Sequence, residues 1–395
     1  LDKREAVWLK NVKYGIIGCG MMGQEHIRNI AMLPGTRIAA IHEPDPAMRA
    51  RAAALAPDAV FSDLDTLLAR DDLDALLIAS PNQTHVPLLA RIAAGRPVPV
   101  MVEKPLLTRA EDRAAIEALR RYPAPIWVAM EYRYMPAVAE LVASAEQATG
   151  GIRMLTIREH RYPFLDKVGA WNRFNRNSGG TFVEKCCHFF DLMRLILKDE
   201  PIRVMASAGQ AANHLEEIYD GETPDILDHG YVIVDFARGG RAMLELCMFA
   251  EGAKFQEHIS AIGPRGKIEC LVPGPSRFWP AHLGPAPVAQ VIESPRDPAG
   301  ERLRPIPVDP ALLAAGDHNG STFYQHQRFH AVLTKGAKVE VSLWDGLRAV
   351  EMGLAAQRSA ATGQAVNVAV ATRDVAEVAA GRAAGRAFWD QPGPR

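Results

Sequence analysis

Long hydrophobic runs are missing from this sequence: no stretch of 18 consecutive apolar residues occurs, so no segment reads as a membrane-spanning helix. The charged start, Leu1-Asp2-Lys3-Arg4-Glu5, leads into no apolar h-region, which predicts a cytoplasmic protein, although an initial Leu in place of Met leaves a removed leader open. Net charge is nearly absent as well. With 45 Lys and Arg against 46 Asp and Glu, the balance of −1 supplies no field to draw a nucleic acid or a membrane surface, and a small-molecule ligand is expected instead. Cysteine is scarce. Cys19, Cys186, Cys187, Cys247 and Cys270 are odd in number and lack C-x-x-C spacing, which argues against a disulfide framework and a structural zinc site. Cys186-Cys187-His188 places three ligand types in a row, from which they cannot easily converge on one ion, so no metal is expected. Internal repeats are lacking too.

What is present is enough apolar material, 48% of 395 residues, for two globular domains. In the first, apolar strand-length runs alternate with amphipathic helix-length runs, the pattern of a parallel sheet covered on both faces. The strand candidates are Tyr14–Gly18, Arg37–His42, Ala59–Phe61, Ala75–Ser80, Val98–Val102 and Ile126–Met130, and six such strands make a doubly wound α/β Rossmann domain over residues 1–133. Helices are expected over Thr84–Ala94, with Gly95 closing it, and over Arg109–Tyr122, with Thr108 as N-cap.

The first strand runs into Gly18-Cys19-Gly20-Met21-Met22-Gly23, a G-x-G-x-x-G turn opening a helix. Gly18 permits the tight turn, Gly20 lets backbone N–H groups approach a pyrophosphate, and Gly23 lets helix and strand pack closely. The helix N-terminus adds unpaired N–H groups and partial positive charge. Glu43 stands 20 positions past Gly23 at the end of the second strand. A carboxylate there accepts hydrogen bonds from ribose hydroxyls and repels a 2′-phosphate, which favours NAD over NADP. Two further strand ends carry polar residues toward the same crevice: Ser80-Pro81-Asn82-Gln83-Thr84-His85, also readable as a plain Pro-Asn turn with a Thr N-cap, and Glu103-Lys104-Pro105. The expected cofactor set is therefore Gly18, Gly20, Met21, Met22, Gly23, Glu43, Ser80, Pro81, Asn82, His85, Glu103 and Lys104.

From Tyr134 the pattern changes to a helix (Pro136–Ala148) and longer alternating strands joined by tight turns, which predicts a second, α+β domain over residues 134–370 with a largely antiparallel sheet. Its strand candidates are Arg153–Tyr162, Arg203–Gln210, Tyr231–Ala237, Arg241–Met248, Gln256–Ile262 and Gly266–Leu271. Residues 272–319, rich in Pro and Gly, read as a surface loop or lid. Helices near Ser321–Lys335 and Trp344–Thr362 close the domain, and the tail 371–395 reads as a peripheral helix or an arm onto a neighbour. After Gly179-Gly180 a helix is expected to carry Glu184, His188 and Asp191 on one side. A carboxylate four residues before the imidazole would raise its pKa and orient it as a base for an alcohol proton; the plainer alternative is a surface ion pair beside a satisfied core histidine.

These segments together resemble the glucose-fructose oxidoreductase, inositol dehydrogenase and rhizopine-catabolism group (Gfo/Idh/MocA). The likeness spans Lys13 to Val368 and rests on the glycine turn with Glu43, S-P-N-Q-T-H, E-K-P at Glu103–Pro105, E-Y-R-Y-M-P at Glu131–Pro136, G-G-T-F-V-E-K-C-C-H-F-F-D at Gly179–Asp191, and the closing W-D-G-L-R-A-V-E-M-G-L-A-A-Q-R-S-A helix. The resemblance implies an open-faced second sheet that mediates a homodimer or homotetramer, and NAD(P)-dependent oxidation of a sugar or polyol hydroxyl. It also implies that Lys104 touches the reacting hydroxyl and that His188 is the acid/base, with Glu184 where the inositol dehydrogenases usually carry Asp. Lys104 would hold the developing alkoxide, its pKa lowered by the oxidised nicotinamide. Substrate-binding candidates beside Lys104 and His188 are Arg158, His160, Tyr162, Trp171, Asn172, Asp191 and His318, with Asn319. Two other classes stay open: an NAD-dependent glycosidase, which Gly316-Asp317-His318-Asn319-Gly320-Ser321 faintly resembles, and a non-catalytic dinucleotide-sensing regulator.

Overall fold

The structure, a computed structural model, describes residues 11–368. The expected tail, 371–395, lies outside them. Six parallel strands, β1 (Val12–Ile17), β2 (Thr36–His42), β3 (Val60–Phe61), β4 (Ala75–Ile78), β5 (Val100–Glu103) and β6 (Ile126–Ala129), lie in the order β3-β2-β1-β4-β5-β6. The four residues of β4, of β5 and of β6 are all buried, because helices cover both faces of the sheet. The chain order reverses between β1 and β4, and the crevice at the carboxyl ends of those strands is the natural ligand position of such a sheet.

Nine strands form the second sheet: β7 (Met154–His160), β8 (Pro201–Gly209), β9 (His229–Phe236), β10 (Arg241–Cys247), β11 (Glu257–Gly263), β12 (Gly266–Val272), β13 (Ala289–Pro295), β14 (Arg302–Ile306) and β15 (Val366–Asn367). Their order is β14-β13-β12-β11-β7-β10-β9-β8-β15, antiparallel throughout except for the β7–β10 pair. Side chains alternate across it. Leu155, Ile157, Val232, Val234, Leu244, Ile259 and Ile268 face the helices and are buried, whereas Tyr231 and Ile233 on the other face remain 55% and 42% exposed. One face of this sheet is open.

Three expectations need correction. The Pro-rich stretch 272–319 is not merely a loop: it contains β13, β14 and the helix Pro310–Ala315. Its strand β13 pairs on both sides and is partly buried, with Val291 fully so, and the outermost strand β14 stays largely exposed, where Pro305 is tolerated and no continuous apolar signal is needed. The helix expected over Arg109–Tyr122 is only Arg113–Ala118 between two 3₁₀ turns, and the buried Thr108 hydroxyl caps nothing. The segment after Gly179-Gly180 is two helices, Thr181–Glu184 and Cys187–Leu197, broken at Lys185-Cys186.

Candidate active site

A cleft of about 1010 Å³ runs along the carboxyl ends of the parallel strands and is roofed by segments of the second domain. At one end lies the glycine turn. Gly18 has φ +91°, and a Cβ there would lie 2.6 Å from the Ser80 backbone, so only glycine lets β1 and the β4 loop approach. A Cβ on Gly23 would fall 2.3 Å from the Gly18 carbonyl, while one on Gly20 would meet nothing within 4 Å. Gly20 thus borders open cleft. No side chain caps the first turn of the helix Met21–Ala31 that follows, which leaves its N–H groups for an anion. Glu43, 8% exposed, is gripped by the Cys19 N–H at 2.6 Å and the Asp45 N–H at 2.8 Å, which aims its carboxylate along the cleft wall. This cradle fits a dinucleotide pyrophosphate with its adenosine ribose at Glu43.

Of the expected cofactor residues, Gly18, Gly20, Met21, Met22, Glu43, Ser80, Pro81, Asn82, Glu103 and Lys104 line the cleft. Gly23 and His85 do not. His85 is fully buried and ties the two loops together through the Pro105 and Ser80 carbonyls, 2.8 and 3.0 Å away, so it positions the cleft without touching its contents. Glu103 is held from below by His26 at 2.8 Å, and His26 by His326 at 2.7 Å; burial opposes its charge, but His26 and Lys104 outweigh it and hold the pKa low.

At the other end, Lys104 Nζ donates to the Glu184 carbonyl at 3.2 Å. Burial works against its charge, but Cys187, Glu131, Glu103 and Glu184 together raise its pKa. The Glu184 carboxyl lines the cleft with Oε2 unpartnered, and burial pushes its pKa up against the pull of Lys167 and Lys104. His188 sits one layer deeper, 1% exposed, stacked on Tyr132 with ring centroids 4.1 Å apart. The carboxylate expected beside it is not Glu184, because the helix breaks between them; it is Glu131, 3.6 Å from Nε2. Nor is its pKa raised: burial and the surrounding Lys104, Lys185, His318 and Arg161 depress it well below 6.5.

Several substrate candidates are placed elsewhere. Alternation along β7 turns Arg158 and His160 to the open face, where His160 pairs with Glu245 at 2.9 Å, so neither reaches the cleft. Asp191 is consumed by a two-point ion pair with Arg133. Asn172 braces its own loop by donating to the Leu165 carbonyl at 3.0 Å, Asn319 donates to the Pro273 carbonyl, and Tyr162 packs against Phe278 and Arg161. Trp171 does line the cleft. His318 borders the buried side, bonded through Nδ1 to Glu25 at 2.8 Å and 3.8 Å from Glu131; burial opposes its charge, but Glu25 outweighs it and lifts the pKa to about 9.

Sequence reasoning missed Glu25, Glu131, Tyr132 and Lys167. Glu131 is 1% exposed with neither carboxylate oxygen hydrogen-bonded, and burial with Glu103 pushes its pKa up to about 7. Its run, E-Y-R-Y-M-P, was visible as a motif, but no spacing tied it to His188. Lys167 sits at the cleft beside Trp171 with no motif around it. Among the described residues no cluster of His, Cys, Asp and Glu could hold a metal ion, and no helix is long and apolar enough to cross a membrane.

Comparison with known proteins agrees with this architecture. The family model of the oxidoreductase NAD-binding Rossmann fold matches residues 12–130, and that of the family's C-terminal alpha/beta domain matches residues 146–368. An inositol 2-dehydrogenase of Rhizobium meliloti is 26% identical over 377 residues, spanning 91% of this chain and 99% of its own. The crystal structure of a putative myo-inositol dehydrogenase from Sinorhizobium meliloti superposes with TM-score 0.72 at 25% identity, covering 91% of this chain and all of the other. A levoglucosan dehydrogenase solved with NADH and levoglucosan shares the fold at TM-score 0.73 and 22% identity, over 91% of this chain and 100% of its own. With a parallel dinucleotide sheet, a half-open second sheet and a cleft between them, the chain belongs to the Gfo/Idh/MocA oxidoreductase family.

Proposed function

We propose that this protein is a dehydrogenase that oxidises a ring hydroxyl of a sugar, sugar derivative or cyclic polyol, with NAD as hydride acceptor. The observation that carries the reading is one continuous cleft with the Glu43-gripped glycine turn at one end and the Lys104–Glu184 contact at the other. Bound there, the nicotinamide supplies the hydride acceptor. Lys104 donates to the reacting oxygen and stabilises charge developing on it. Glu184, with one oxygen free, accepts from a substrate hydroxyl. His188, kept neutral by burial and nearby cations, holds the released proton, with Glu131 behind it to share the load. Glu43 favours NAD because a 2′-phosphate would face its carboxylate.

The test is an assay of polyols, aldoses, uronates and glycosides with NAD and NADP, followed by NADH formation, in the wild type and in Lys104→Ala and His188→Ala. Each variant is expected to lose on the order of 10²-fold in kcat or more; near-normal kcat in either would remove that residue from the mechanism. The Gly316–Ser321 segment is engaged in holding Glu25 through the Asp317 N–H and His318, which lends no separate support to glycoside cleavage. The open sheet face, with Tyr231 and Ile233 exposed, is assigned to contact between copies, so light scattering is expected to give a dimer or tetramer.

A further inference from the structure

The substrate end of the cleft holds a lysine whose ammonium makes no ion pair or hydrogen bond among the described residues. Lys167 lines the cleft, half-buried, with its Nζ 5.9 Å from the Trp171 ring centroid, and among the described residues its side chain makes no hydrogen bond or ion pair. Lys104 has only the Glu184 carbonyl. Several charged groups around them are already matched: Asp166 with Arg173, Arg277 with Asp317 through two bonds at 2.7 and 2.6 Å, Glu103 with His26, and Lys185 with Glu159. Glu103 and Glu131 act on Lys104 from the buried side, so the carboxyl left to Lys167 at the cleft surface is Glu184, whose ionisation burial disfavours and which makes no hydrogen bond to it.

The loop that presents Lys167 is built to hold still. Arg173, 1% exposed, donates to Asp166 at 2.7 Å and to Glu217 at 2.8 Å, and Asn172 donates to the Leu165 carbonyl at 3.0 Å. Between these anchors Gly169 and Ala170 both adopt left-handed backbone, φ 65° and 48°. An alanine in that region is strained, and such strain persists where surrounding contacts fix the chain, commonly at ligand clamps. Burial and the neighbouring Lys104 lower the Lys167 pKa despite Glu184, so an incoming anion would be favoured by the charge it restores.

We infer that Lys167 and Lys104 form an anion-recognition pair at the substrate end of the cleft, and that the physiological substrate carries a carboxylate or phosphate beside the hydroxyl that is oxidised. This rests on the dehydrogenase reading for the placement of the reacting hydroxyl, but the charge pair is a property of the chain alone. A sugar acid or sugar phosphate fits it, and a neutral polyol leaves the Lys167 ammonium without a charged hydrogen-bonding partner next to an oxidised nicotinamide that is itself positive.

The experiment compares the full chain with Lys167→Met and Lys167→Arg. Rates with NAD are measured on glucuronate, glucose 6-phosphate, glucose and myo-inositol, and each compound is also titrated against NADH-loaded protein by fluorescence, so binding is read apart from turnover. At least one anionic compound is expected to exceed glucose and myo-inositol by about tenfold in kcat/KM. Lys167→Met should raise KM for that compound about tenfold more than for a neutral one, with kcat changed little, and Lys167→Arg should recover most of the loss. A preference for glucuronate over glucose 6-phosphate, or the reverse, assigns the anion. Equal losses on charged and neutral compounds, a preference for neutral compounds, or no binding of either anion overturns the proposal. Lysine-dependent binding of an anion without oxidation of any compound upholds it and overturns the dehydrogenase reading instead.

Discussion

At the scale of single residues, the chemistry is set by burial acting on ionisable groups. His188 is depressed well below 6.5 by burial and by four neighbouring cations, so as a base it stays competent into mildly acid conditions. Its protonation should cut activity only below pH 6.5, and a kcat/KM profile with an acid limb at or above that value would reassign the base. Glu43 makes the complementary case. Its two backbone bonds orient it, so Glu43→Ala should weaken NAD by about tenfold with little effect on kcat, read as KM for NAD. Unchanged NAD affinity would sink the ribose assignment.

At the scale of elements, the glycine turn shows how steric fit becomes binding. Gly23→Ala would drive a methyl into the Gly18 carbonyl, so the helix Met21–Ala31 must shift off β1; a loss of about 1–3 kcal/mol in chemical denaturation, together with weaker NAD binding, is expected. This turn, the six parallel strands and Lys104 at the end of β5 were legible in the sequence because each is local: a glycine spacing, an apolar run, a polar residue at its end. What was illegible depends on partners distant in the chain. The Glu184–His188 pairing assumed one helix, and nothing in Val183-Glu184-Lys185-Cys186 announces the break. Arg158 and His160 were attractive as polar residues on a strand near the site, but only the register against β10 and β11 reveals which face they occupy. Strand β14 hid in a Pro-rich run because an exposed edge strand needs little hydrophobicity, and β13 because only Ala289 and Val291 of its seven residues are buried.

At the scale of the whole molecule, the end of the Pro-rich segment is fastened to the dinucleotide domain. Glu25, on the helix after the glycine turn, receives bonds from His318, Thr322 and the Asp317 N–H, and Gly316 lies so close that a Cβ would fall 2.2 Å from the Glu25 carboxyl carbon. Burial opposes its charge, but these contacts hold Glu25 at about 2, while His318 is lifted to about 9. The raised histidine contributes stability that is complete below its ordinary 6.5 and is lost as pH rises through about 9. The depressed carboxylate contributes stability that is complete above its ordinary 4.5 and is lost as pH falls through about 2. Glu25→Gln should therefore cost about 3 kcal/mol near pH 5.5, and the difference from wild type in thermal melts should shrink by pH 9.5. A penalty independent of pH would mean that the contact acts by packing and not by charge.

The cleft lining divides cleanly along the chain: every wall residue from Ile17 to Lys104 belongs to the parallel-sheet half, and every one from Asp166 onward to the half that follows it. Such a division makes the molecule modular. Grafting residues 146–368 of a relative with a different alcohol substrate onto the first half should transfer the choice of alcohol while the affinity for dinucleotide stays with residues 12–130.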